Sequence, residues 1–181
     1  VEVPLMVAAA VQEALKLHGI QAQIMYGPAA WVEVLEDQSP IWAGCWGEHI
    51  HFWVATQYGA VVDLTTAVAY RKRAHDSPQS QSLYSPPLLW SREVPAFYRY
   101  LPEGIAELEL TDAEDLRKFE LVLNEVREKC SPEAVGHEGE QPSFPSEAML
   151  CPGRKVLDDP RSTFRHFDRA LRVRGIPPAP I

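Results

Sequence analysis

Nowhere in this chain do the roughly 18 apolar residues needed to cross a bilayer as a helix follow one another, and its first residues show neither the basic flank nor the small-residue cleavage site of a secretory signal. A soluble protein with no membrane partner is expected. Cysteine is scarce. Cys45, Cys130 and Cys151 are odd in number and far apart, without a Cys-x-x-Cys pair. Neither a disulfide framework nor a zinc finger is signalled, and a reducing, cytoplasmic setting fits best. Positive charge is also in deficit, with 17 Lys and Arg against 25 Asp and Glu and a net charge of −8. That balance excludes the broad phosphate-binding surface of a nucleic-acid partner.

What is present suffices for one domain spanning 1–181, since 181 residues can bury a core without disulfides or metal. PLMVAAAVQEALKLH, from Pro4 to His18, is rich in helix formers and apolar on almost every side, which predicts a buried N-terminal helix. Gly19 stands where a left-handed C-cap belongs. IQAQIMYG follows as a strand, AAWVEVLE (29–36) as a second, and HIHFWVA (49–55) and AVVDLT (60–65) as two more joined by a tight turn near Gly59. The stretches 37–47, 75–87 and 131–158 read as loops, the last two long and proline-bearing. A capping box, Thr111-x-x-Glu114, opens a helix over 111–130 with Leu116, Phe119, Leu123 and Val126 on one face. Asp159 and Pro160 cap a last helix, 160–174, whose inward stripe is Phe164, Phe167 and Leu171, and 175–181 is a tail. A helix, then antiparallel strands, then helices make an α+β fold: a buried helix packed on an antiparallel sheet. Residues 102–140 hold 12 acidic and 4 basic side chains, and 154–174 hold 7 basic and 3 acidic, so the basic helix is expected to dock on the acidic middle, or else to take an anionic ligand.

The hairpin EHIHFWVATQYGAVVDLT carries the chemistry. Strand alternation places His49, His51 and Trp53 on one face, opposite Ile50, Phe52 and Val54. A three-residue turn about Gln57, with Gly59 at positive φ, would set Asp63 directly across from His51, their Cβ atoms about 5 Å apart. At that separation a carboxylate fixes the tautomer of an imidazole and stabilises its charge. A two-residue turn would send Asp63 to the other face. As a purely structural pair, the two would satisfy each other in the core. Trp31, Trp42, Trp46 and Trp53 either fill that core or line a cleft.

VAAAVQEALKLHGIQAQIMYG, with HFWV and VVDLT after it, resembles the core of transglutaminase-like proteins, within the papain-like cysteine-peptidase group that includes arylamine N-acetyltransferases. The likeness covers residues 1–66, about a third of the chain. It implies a papain-like fold and an acyl-transfer or amide-hydrolysis reaction without a cofactor, on a peptide or a small acyl or amide substrate. His51 would be the general base, Asp63 the orienting carboxylate, and N–H groups at the helix start the oxyanion donors. His49 and Trp53 would face the substrate. The family's nucleophilic cysteine, however, falls on Pro4, which suits a first helical turn but has no thiol. Three readings stay open: a cysteine upstream of Val1, Cys45 standing in, or a fold kept without the chemistry. Cys45 lies six residues before His51, up to roughly 20 Å along an extended strand, and would need a sharp reversal at Gly44 or Gly47. Two other classes compete. Glu48, His49 and His51, with Cys45 near, would suit a metal, although the glutamate that an H-x-H strand site wants a few residues on is absent. A non-enzymatic interaction module would use the charged faces instead.

Overall fold

The fold is that of a computed structural model that describes residues 3–35, 37–66, 82–84, 88–131 and 163–181, with the backbone alone at 82–84 and 163–166. It is mixed α+β, as expected. The first helix, α1 (Val3–Leu17), ends as its sequence predicts: the N–H of Ile20 bonds the carbonyl of Leu15 and that of Gly19 bonds Lys16, both at 3.0 Å. These paired bonds satisfy carbonyls that the helix leaves open, and they bring Ile20 onto Leu15. Ala8, Ala9 and Leu15 are buried with Ile20, Ile24, Phe52, Val54 and Val62. Small alanines let the helix approach the sheet closely, and each large apolar side chain buried there contributes about 1.5–3 kcal/mol.

Among the described residues, nine strands form two antiparallel sheets. In the first, β1 (Ala22–Gly27) is flanked by β4 (His51–Thr56) and β9 (Gly104–Ala106), and β5 (Val61–Asp63) and β7 (Leu89–Ser91) follow on beyond β4. In the second, β2 (Ala29–Leu35) pairs on one side with β3 (Pro40–Cys45) and on the other with both β8 (Tyr98–Tyr100) and β6 (Ser82–Tyr84). One face of the first sheet rests on α1. Its other face meets the second sheet through Ala29, Trp31, Ala43, Trp53, Leu89 and Tyr98.

Several expectations are corrected here. The stretch 37–47 is largely strand, since β3 occupies most of it; its proline sits at the first strand residue, where a missing N–H is tolerated. The expected loop 75–87 contains β6, which pairs with β2, and the rest of it lies outside the described residues. So do 132–158, with Cys151, and the cap residues Asp159 and Pro160. Strands β6 to β9 complete both sheets, so the core extends beyond the 1–66 stretch. At three residues each they are too short to show an alternation.

The second helix, α2 (Ala113–Cys130), is capped by Asp112 instead of Thr111; the Asp112 carboxylate accepts from the N–H groups of Glu114 and Asp115. Phe119, Leu123 and Val126 are half-buried, whereas Leu116 is exposed. Arg127 reaches Glu13 of α1 at 3.4 Å. Among the described residues, the last helix, α3 (Thr163–Arg174), packs on the second sheet and not on α2. Phe167 and Ala170 are buried against Val32 and Val34 of the second sheet, with Leu171 beside them. Arg174 donates to the Asp37 carbonyl and the Ser39 hydroxyl, and the Trp42 indole donates to the Pro177 carbonyl. Apolar burial and these directed bonds outweigh the long-range complementarity of charge, which water screens.

Candidate active site

The turn between β4 and β5 spans residues 57–59, with Gly59 at φ 77° and the Thr56 N–H bonded to the Ala60 carbonyl. Val54 pairs with Val62 and Ala55 with Val61. The register is therefore two residues away from the one expected, and Thr65, not Asp63, continues the line opposite His51. A shift of two preserves the face, so the pair survives as a diagonal contact. His51 Nε2 stands 2.8 Å from Asp63 Oδ2, and both residues are 1% exposed.

Asp63 is saturated with donors. Oδ1 accepts from the N–H of Thr65 at 2.8 Å and from its hydroxyl at 2.7 Å; Oδ2 accepts from His51 and from the Tyr100 hydroxyl at 2.7 Å. Burial on its own raises the Asp63 pKa, but the charge of His51 and the hydrogen bonds from His51, Thr65 and Tyr100 hold it below the usual carboxylate value. Burial likewise pushes His51 down. The charge and hydrogen bond of Asp63, then those of Cys45, outweigh it and bring the imidazole up to about 9. At neutral pH the site holds an imidazolium against a carboxylate.

Cys45 thus stands near enough to His51 to raise its pKa, and sheet geometry explains how. Cys45 pairs with Ala29 on β2, and Tyr100 pairs with Ala29 from the other side. Directly paired residues point to the same face. Cys45, Ala29 and Tyr100 therefore form one row facing the first sheet, where His51 and Asp63 point back. Gly27 pairs with His51 just before Pro28 and Ala29 carry the chain into the second sheet, so the corner between β1 and β2 brings the two rows together. The reversal that separation along the strand demanded is present: Gly47 takes φ 74° in the turn between β3 and β4. With Nε2 held by Asp63 and by Thr65, whose hydroxyl is 3.0 Å away, Nδ1 is the nitrogen left to exchange a proton with a thiol.

Other expected site residues are placed differently. Trp53 is 3% exposed, stacked on His51 and tilted against Tyr100, ring centroids 6.4 and 5.0 Å away, so it packs beneath the site instead of standing open to solvent. Trp31 is also core, its ring 5.3 Å from the imidazole and its indole N–H on the buried Glu33. Trp42 is half-buried, and Trp46, next to Cys45, is 37% exposed. Glu48 and His49 are exposed in the turn while His51 is buried. Among the described residues no three His, Cys, Asp or Glu side chains gather as a metal would require. Cys130 closes α2, half-buried. Thr65, Tyr98 and Tyr100 escaped the sequence reading; the Tyr-x-Tyr spacing in FYRYLP is the one signal that two aromatics share a strand face.

No protein-family model matches this chain, and no curated protein or solved structure matches it either.

Proposed function

We propose that the chain is a transglutaminase-like or papain-like thiol enzyme of acyl transfer or amide hydrolysis, with Cys45 as nucleophile, His51 as general acid and base, and Asp63 as the orienting carboxylate. The carrying observation is a fully buried His51–Asp63 pair with a cysteine close enough to the same imidazole to raise its pKa. Turnover starts from the minor, neutral form of the His51 imidazole, and the thiol proton passes to it. The thiolate attacks a carbonyl carbon, forming the C–S bond, and His51 returns the proton to the departing amine as the C–N bond breaks. Water or an acceptor amine then gives a proton to His51, adds to the thioester and releases Cys45. Proton movements alone balance these steps, so no cofactor is called for. The departure from the family arrangement is that the thiol comes from strand β3 and not from the start of the helix, whose place is held by Pro4 in α1.

Iodoacetamide alkylation followed by peptide mass spectrometry tests this reading. At about pH 6 a free thiol of ordinary acidity is only about 0.3% thiolate. Cys45 is expected to react at least about tenfold faster than Cys130 in the folded protein, and to lose that advantage in His51→Gln. Equal rates for the two cysteines in folded protein would sink the proposal.

A further inference from the structure

Tyr100 comes from β8, a strand with no counterpart in the hairpin that carries the His–Asp pair. Its hydroxyl donates to Oδ2 of Asp63 at 2.7 Å, the same oxygen that holds His51 Nε2 at 2.8 Å. The phenol is itself locked: Trp53 lies 5.0 Å away on one side, and Tyr98 is stacked at 6.0 Å with an interplanar angle of 12°. Burial first, then the Asp63 charge, raise the Tyr100 pKa well above its ordinary value, so the hydroxyl remains a donor wherever the imidazole titrates.

Two donors on one carboxylate oxygen compete for its electron density. When His51 is neutral, Asp63 bears its full charge and binds the phenol most strongly; when His51 is charged, the phenol bond weakens. Tyr100 therefore favours the neutral imidazole, the form that accepts a proton. On that basis we propose that Tyr100 is a positioning residue of this site, which fixes the rotation of Asp63 from the opposite sheet and tempers the carboxylate's pull on His51. The proposal rests on the thiol-enzyme reading for its role in turnover, though not for the coupling itself. Among the described residues, the charged and titratable groups that bear on the imidazole are Asp63 from β5 and Cys45 from β3, and Tyr100 and Tyr98 from β8 bear on Asp63.

The test is the titration of the His51 ring, followed by NMR, in wild type, in Tyr100→Phe and in protein carrying 3-fluorotyrosine at position 100. Loss of the hydroxyl should raise the His51 pKa by about half a unit or more, whereas the fluorinated phenol, a stronger donor, should lower it. A Tyr100→Phe protein with native circular dichroism and an unmoved titration overturns the proposal. Should Tyr100→Phe fail to fold, the fluorinated protein decides: a downward shift supports the coupling and an unchanged titration overturns it. The alkylation rate of Cys45 is read on the same samples. An inert thiol with a shifted titration removes the catalytic reading and leaves the coupling standing; a reactive thiol with a static titration does the reverse.

Discussion

At the scale of single residues, the molecule keeps a charged carboxylate and a charged imidazole where almost no water reaches, which is costly unless every lone pair is satisfied. Asp63 meets that condition with four hydrogen bonds, two of them from Thr65. Asp63→Asn keeps the shape but turns an acceptor into a donor facing other donors. It should destabilise the fold by about 3 kcal/mol in urea titrations. It should also lower the His51 pKa from its raised value, because only Cys45 would then oppose burial; the imidazole NMR titration reads that drop directly. The pair was legible in the sequence because strand parity is robust: a register error of two residues leaves both side chains on one face. Tyr100 was not legible, because nothing local to a three-residue strand tells which carboxylate, 37 residues earlier, it will meet.

At the scale of elements, the decisive feature is the close packing of β3 on β2. A Cβ added to Gly44 would lie 2.1 Å from the Ala29 carbonyl oxygen and 2.8 Å from the Ala30 Cα, and both are backbone atoms that cannot swing aside. One added to Gly59 meets nothing within 4 Å and strains only a φ of 77°. Gly44→Ala should thus cost more than Gly59→Ala, which is expected at about 1–2 kcal/mol. Gly44→Ala should also slow Cys45 alkylation, since it displaces the strand that presents the thiol, while Gly59→Ala leaves it nearly unchanged. Denaturant midpoints and labelling rates on the two variants check the order. The long helices α1 and α2 were readable from periodicity and caps. β3 was not, because a proline and a glycine in six residues look like loop until a neighbour supplies the ladder.

For the whole molecule, the buried pair sets how stability varies with pH. The folded His51 pKa, about 9, exceeds its ordinary 6.5, so its contribution is complete below about 6.5 and is lost as pH rises through 9. Asp63 is shifted the other way: its contribution is complete above its ordinary 3.8 and is lost as pH falls through the lower folded value. The unfolding free energy from urea titrations should be flat between these limits and fall by on the order of 3 kcal/mol between pH 6 and pH 10. Asp63→Asn should flatten that alkaline slope. The charge asymmetry along the chain, by contrast, did not decide where the last helix docks. Phe167, Ala170 and Leu171 found the apolar face of the second sheet instead.

The sequence by itself determined the α+β class, the two long helices, and the face shared by His51 and Asp63, because each of these depends on the local period of a helix or a strand or on a turn of a few residues. Only the tertiary structure decided that Cys45 and Tyr100 flank Ala29 and meet that pair. Pairings between separate strands, and the stacking of one sheet on another, depend on contacts between residues far apart in the chain, for which a single sequence carries no register.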